Sequence, residues 1–186
     1  KHFMTLLAKK NTLRLLTILG LLFLNQSITA QSAQKKEKII EDAVEAKTAF
    51  IENDGLLKPL FENAFAYVIF PNIGKGGIGV GAAAGNGAVY EHGTLIGMAK
   101  VKQVTVGLQL GGQAYREVIF FENEEEFNRF KENRFEFSAQ ASAVAVTEGA
   151  SANVKYKNGV MIFTQQKGGL MYEASIGGQK FKFTSL

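Results

Sequence analysis

The apolar residues of this chain follow two different spacings along its length. From residue 35 to residue 53 they recur every three or four positions, which predicts an amphipathic helix. Its apolar stripe consists of Ile40, Val44, Lys47 and Ile51, with Ile39, Ala43, Ala46 and Phe50 beside them. Asn53-Asp54-Gly55 is expected to end this helix, because glycine accepts the left-handed conformation of a helix end. A second short helix is predicted over residues 56–63, with Pro59 in its first turn, where proline is tolerated.

After Phe65 the spacing changes to that of strands. Turns are expected at His92-Gly93, at Asn158-Gly159 and at Lys167-Gly168-Gly169, and Asn-Gly between alternating segments is a strong hairpin signal. The segments that predict strands are AYVIF, AVYEHGTLIGMAKVKQVTVGLQLGG, REVIFF, FEFSAQASAVAV, ASANVKYK, VMIFTQQ and LMYEASIGGQKFKF.

One helix interrupts the strands, at ENEEEFNRFKEN. Asn123 can cap its start, Glu126 stands three residues later as in a capping box, and Phe127 and Phe130 form its buried edge. The chain therefore predicts an α+β fold: a strongly curved antiparallel sheet or barrel of glycine- and alanine-rich strands. The N-terminal amphipathic helix and the internal helix are expected to pack on it.

The stretch NIGKGGIGVGAAAGNG, residues 72–87, raises the question of a phosphate-binding loop. A P-loop needs Ser or Thr after its Gly-Lys pair, but Gly76 follows Lys75, and neither a helical pattern nor a ribose-binding acid follows. A strand with one bare face fits better, because Gly77, Gly79, Gly81, Ala83 and Gly85 alternate with larger residues. Such a face lets a helix, another backbone or a ligand come close, and a helix of the same protein is favoured.

Residues 1–30 have the layout of a secretory signal peptide, with a basic start, a short apolar core and a small-residue exit at Ala30. An uncleaved N-terminal anchor is the alternative. Without this segment the chain has 17 basic and 17 acidic residues and no cysteine, which argues against a nucleic-acid-binding protein and requires packing alone to stabilise the fold. We expect an exported, periplasmic or envelope-associated protein with one domain at 31–186.

Candidate catalytic chemistry is sparse. His92 is the only histidine after residue 30, so neither a catalytic triad nor a transition-metal site is expected. A carboxylate pair such as Glu117 and Glu173 is conceivable, but nothing in the spacing selects it. The sequence predicts no enzyme activity, no cofactor and no metal.

Binding to a membrane surface has more support. Lys35, Lys36 and Lys38 precede the apolar stripe of the first helix, as in an interfacial helix, although acidic residues follow them. A core-packing helix is at least as good an interpretation. Lys180-Phe181-Lys182-Phe183 places lysines and phenylalanines on opposite faces, for which an ordinary half-buried strand is preferred.

Taken in order, four segments resemble the SYLF domain family: AYVIFPNIGKGGIGVGAAAGNGAVY, VTVGLQLGGQAYREVIFFENEEEFNRF, FSAQASAVAV and VMIFTQQKGGLMYEASIGGQ. The resemblance covers nearly all of the chain after residue 38. It implies a lipid-binding module without enzymatic activity, whose head-group contacts would be Lys35, Lys36, Lys38, Lys47, Lys75 and Lys167. Some eukaryotic members bind actin, which is not an expected partner for an exported chain.

These observations together predict non-catalytic binding of a phospholipid or another amphiphile. The alternative is a structural or protein-interaction module of the envelope with no lipid ligand. A small outer-membrane barrel fits the alternating strands, but it fits neither the charged internal helix nor the lack of aromatic girdles.

Overall fold

The computed structural model describes residues 31–78, 80–106, 112–137, 142–167 and 173–186. Helix α1 covers residues 31–53 and is followed by a 3-10 turn at Gly55–Leu57. Two further helices are α2, Lys58–Asn63, and α3, Glu124–Lys131. The strands are β1 Ala66–Ile78, β2 Val80–Glu91, β3 Thr94–Val106, β4 Gly112–Phe121, β5 Ser142–Ala145, β6 Val160–Gln166, β7 Glu173–Ser175 and β8 Lys180–Ser185.

The strands form one sheet of eight, in the order β7-β5-β6-β4-β1-β2-β3-β8. All neighbouring pairs are antiparallel except β5 and β6, which are parallel. The predicted α+β fold with a mainly antiparallel sheet is therefore confirmed. Within the described ranges the strand order ends at β7 and at β8, so the structure does not confirm a closed barrel.

Helix α1 packs on the sheet through small side chains. Ala43, Ala46 and Phe50 are fully buried and share a core with Tyr67 and with Phe120. Val44, which the sequence placed in the buried stripe, is 57% exposed. The buried residues are thus those predicted beside the stripe, because apolar residues stand side by side along this helix and the spacing alone does not choose between them.

The end of α1 depends on Asp54 rather than on Gly55. Asp54 is extended, and its Oδ1 accepts a hydrogen bond from the Leu56 amide at 3.1 Å. Its Oδ2 accepts two more from Ser151, from the amide at 2.8 Å and from the hydroxyl at 2.6 Å. Gly55 is not among the residues with positive φ, so the expected left-handed glycine is wrong. The buried carboxylate ends the helix and also fixes the segment around Ser151.

The glycine-rich stretch is a β-hairpin and not one strand. Its first half ends β1 and its second half begins β2, with Gly77 paired to Gly81. Between Ile69 and Asn72 the register shifts, and the glycines of β2 face this irregularity. A Cβ at Gly85 would lie 2.8 Å from the Asn72 carbonyl oxygen, and one at Gly87 would lie 2.5 Å from that of Ile69. At these two glycines the close approach is that of the neighbouring strand's backbone, whereas a helix was the favoured partner.

The two faces of the sheet carry different layers. On the inner face, α3 packs against an aromatic core that continues under Ala83 and includes Phe70, Tyr115, Phe121, Phe127, Phe130, Phe135, Phe137 and Phe181. On the outer face, α1 and α2 cover Tyr67, Ile69 and Ala88. Further along the same outer face Ala82 and Ala84 are exposed. The small-residue face of the glycine-rich strand is the inner one, and its Ala83 is buried in the same core as Phe127 and Phe130 of α3.

Local predictions held best where a cap or a turn fixes the backbone. The Asn123 side chain caps α3 by accepting from the Glu126 amide at 3.1 Å, and Phe127 and Phe130 are buried, as predicted. The His92-Gly93 and Asn158-Gly159 turns are also confirmed, with positive φ at all four residues.

Three further predictions concern the C-terminal half of the chain. The strand predicted at ASANVKYK is wrong, because residues 148–153 form turns and residues 154–156 form no regular structure. The last predicted strand is interrupted between β7 and β8 by a turn at Gly177 and Gly178. Gly168 and Gly169 of the turn predicted after Lys167 lie outside the described residues.

Candidate functional site

Four lysines share the exposed part of the outer face. Antiparallel pairing of β3 with β8 places Lys100 opposite Lys182 and Lys102 opposite Lys180. All four side chains are exposed. Residues directly opposite on one face have Cβ atoms about 5 Å apart, so the four ammonium groups form one compact basic patch, which we call the lysine face.

The strand positions around the lysine face carry small, uncharged or basic residues, and the acid Glu136 lies beside β8. Ala84 lies opposite Lys102 and Ala82 lies opposite Val104, which is 71% exposed. The strand positions described on this part of the outer face include no acid; they are Asn72, Gly74, Gly76, Ala82, Ala84, Asn86, Met98, Lys100, Lys102, Val104, Ala114, Arg116, Lys180, Lys182 and Thr184. Glu136, beside β8, forms an exposed ion pair with Lys180 at 3.6 Å.

Two phenylalanines on the inner face of β8 anchor the strand that carries Lys180 and Lys182. Phe181 and Phe183 alternate with the lysines and pack against Phe130 of α3, with ring centroids 5.6 and 6.5 Å apart. A Cβ at Gly97 of β3 would lie 2.4 Å from the Phe183 ring, so this glycine makes room for that ring. Alternation in KFKF thus produces the half-buried strand that the sequence predicted, with its basic side outward.

A second group of chemical interest is buried in the inner face. Gln179 donates from Nε2 to Glu117 Oε2 at 3.0 Å and to the Tyr115 hydroxyl at 3.4 Å. All three side chains are buried, and among the residues that the structure describes Glu117 Oε1 has no hydrogen-bond partner. Burial raises the pKa of Glu117 to about 7, because the charged form loses its hydration. The same burial, with the nearby Glu117 carboxylate, raises the pKa of Tyr115.

The two residues of the conceivable catalytic pair, Glu117 and Glu173, lie on strands that are not neighbours in the sheet. Glu117 lies on β4 and Glu173 on β7, and β5 and β6 separate these two strands in the sheet.

The predicted lipid contacts at the N-terminus lie on α1. Lys35, Lys36 and Lys38 lie within about one turn near the start of the helix, and all three are exposed. Glu37 and Glu41 are also exposed in this part of the helix, so the local charge is mixed.

The other three predicted contacts differ in their surroundings. Lys47 lies over the rings of Phe61 and Tyr67, at 5.0 and 5.4 Å, and donates to the Tyr67 hydroxyl at 3.4 Å. Burial lowers the pKa of Lys47 and that of the half-buried Lys75. Lys167 is exposed just beyond β6. Lys47 is thus engaged within the core, whereas the role of all six lysines as lipid contacts stays a prediction.

Sequence reasoning missed half of the lysine face. The period-two spacing of Lys100 and Lys102 in AKVKQV was a usable signal, since it places both side chains on one face of a strand. What the spacing could not supply was the partner strand, because Lys180 and Lys182 are about eighty residues further along the chain.

These observations define the class of protein: an α+β domain whose sheet leaves part of one face exposed and basic. Residues 102–184 match the family model Ysc84, described as Las17-binding protein actin regulator. This match confirms the resemblance to the SYLF family that was read from the sequence, over residues 102–184.

One curated relative is beta cell expansion factor A of Aeromonas veronii. It is 29% identical over 168 residues, which cover 85% of this chain and 61% of the relative. The chain therefore spans about three fifths of the length of the relative that it matches. Among the helices in the described ranges, none combines the length and the apolar character needed to cross a bilayer.

Proposed function

We propose that this domain binds the surface of anionic phospholipid membranes without catalysis, and that the lysine face is the contact. The observation that carries the proposal is the alignment of four exposed lysines on neighbouring strands, with no acid at the described strand positions around them. Basic residues near an anionic membrane contribute about 1 kcal/mol each. The match to the SYLF family supports a lipid ligand, because the sequence resemblance implied one.

The packing of the sheet supports contact at the surface and not enclosure of a lipid chain. Beneath the glycine-rich strands, Ala83 and Ile73 belong to the aromatic core of the inner face, together with Phe181. An exposed sheet face with Val104 among its lysines instead presents charge together with limited apolar area.

The proposal extends to the location of the protein. We propose an exported protein that meets anionic lipid in the cell envelope, on the basis of the signal-peptide layout of residues 1–30. The alternative is an envelope interaction module with no lipid ligand, for which the tightly packed inner face is sufficient.

Co-sedimentation with vesicles tests the proposal. The protein should sediment with vesicles that contain phosphatidylglycerol and not with vesicles of phosphatidylcholine alone, and added salt should weaken the binding. Replacing Lys180 and Lys182 by Gln should lower the partition coefficient roughly thirtyfold, since two lysines at about 1 kcal/mol each are removed.

The chain offers a matched control in Lys155-Tyr156-Lys157. Its two lysines are also exposed and flank an aromatic residue, so K155Q/K157Q changes the net charge equally. This control should bind as the unchanged protein does. Equal losses in the two double variants would show that net charge and not the lysine face decides binding, and no sedimentation with either vesicle would overturn the proposed function.

A further inference from the structure

The strand pair that forms the lysine face contains an electrostatic conflict. Lys100 faces Lys182, and Lys102 faces Lys180, directly across the β3–β8 ladder. Like charges directly opposite on one face of a sheet are destabilising. Glu136 pairs with Lys180 and offsets part of this repulsion. The register therefore brings together four positive side chains whose mutual repulsion opposes the strand pairing that collects them.

This repulsion can loosen β8, because β8 is an end strand of the described sheet. β3 is its only neighbour in the strand order, and its other side is tied at single points. The Phe183 amide donates to Asn133 Oδ1 at 2.7 Å, and an isolated bridge joins Lys180 to Glu136. Phe181 and Phe183 hold the strand from the inner face, while the outer lysines repel those of β3.

We propose that β8 is an anion-responsive edge strand, whose pairing with β3 tightens when an anionic membrane surface occupies the lysine face. This inference rests on the proposed function. The paired strands present all four ammonium groups together, whereas a frayed β8 leaves only those of Lys100 and Lys102 on β3. A ligand that binds one of two conformations more tightly shifts the population toward it. The bound membrane thus stabilises the strand pairing that forms its own contact.

Hydrogen exchange read by mass spectrometry tests the coupling. Vesicles with phosphatidylglycerol should slow the exchange of the β8 amides, residues Lys180–Ser185, by about tenfold, because fraying of this strand becomes less favourable. Phosphatidylcholine vesicles should have no effect. The amides of β6, Val160–Gln166, lie inside the sheet and serve as the internal reference. Vesicle binding without any slowing in β8 would overturn the inference and leave the proposed function standing.

A charge reversal tests the conflict in the absence of lipid. Lys182→Glu places an acid opposite Lys100 and should slow β8 exchange in the free protein severalfold, while it weakens vesicle binding and removes the vesicle-dependent slowing. Lys182→Gln should lie between the two, and Lys157→Glu, at an exposed lysine outside the lysine face, should leave β8 exchange unchanged. If Lys182→Glu exchanges as fast as the unchanged protein, the repulsion does not loosen β8 and the inference fails. That result is independent of whether any vesicle binds.

Discussion

At the scale of single residues, Glu117 is a carboxyl group that this fold buries at an electrostatic cost. Its side chain is fully buried, it faces Phe70 on β1 and Thr164 on β6, and its neighbours on β4 include Tyr115. Gln179 donates one hydrogen bond to Glu117, and none of these neighbouring side chains carries a positive charge. A buried carboxyl without a cation favours its neutral form, which is why its pKa is raised to about 7.

This raised pKa predicts how stability depends on pH. In the unfolded chain Glu117 ionises near its ordinary pKa of 4.5, whereas in the folded protein it keeps its proton up to about pH 7. The free energy of unfolding therefore falls as the pH rises from 4.5 through about 7. Glu117→Gln removes this loss and should increase the free energy of unfolding at pH 8, by on the order of 2 kcal/mol, with little change at pH 4. Urea unfolding at the two pH values measures both effects.

Glu148→Gln is the matched control for this prediction. Glu148 is exposed in the turn region after β5, so its replacement should not alter the pH profile. A Glu117→Gln protein with the same pH dependence as the unchanged protein would show that Glu117 does not titrate in this range.

At the scale of elements, the sequence predicted what local chemistry decides. Asn123 at the start of α3 and the Asn158-Gly159 turn carry their signals in neighbouring residues, and both predictions are confirmed. The lysine face and the pairing of β1 with β2 depend on strand register, which links residues far apart and is fixed by packing. The end of α1 shows the same limit, because Asp54 bonds to Ser151, nearly one hundred residues away.

The glycine-rich hairpin gives a prediction at this scale. Gly87→Ala should lower the free energy of unfolding by about 2 kcal/mol or more, because the new Cβ would lie 2.5 Å from the Ile69 carbonyl oxygen and strand backbone cannot yield cheaply. Gly74→Ala is the control, since a Cβ there meets nothing within 4 Å and the site is exposed. Equal stability of the two variants in urea would contradict the idea that Gly87 is needed for the irregular β1–β2 pairing.

At the scale of the whole molecule, basic residues that could meet a membrane occur in two places. Lys35, Lys36 and Lys38 are exposed at the start of α1, where the resemblance placed head-group contacts, and the lysine face is exposed on the sheet. The two differ in the acids nearby. Four acidic residues follow within three turns of the helix: Glu37, Glu41, Asp42 and Glu45. Beside the lysine face, Glu136 pairs with Lys180, and the strand positions described around it include no acid.

This difference ranks the two regions in a vesicle assay. Because an anionic surface repels the neighbouring acids while it attracts the lysines, neutralising Lys35, Lys36 and Lys38 together by Gln should lower vesicle binding less than tenfold. Neutralising only Lys180 and Lys182 should lower it roughly thirtyfold. Co-sedimentation with phosphatidylglycerol vesicles, with K155Q/K157Q as the common control, measures both. The reverse ranking would place the main contact on α1, as the sequence resemblance implied, and would reduce the lysine face to a secondary one.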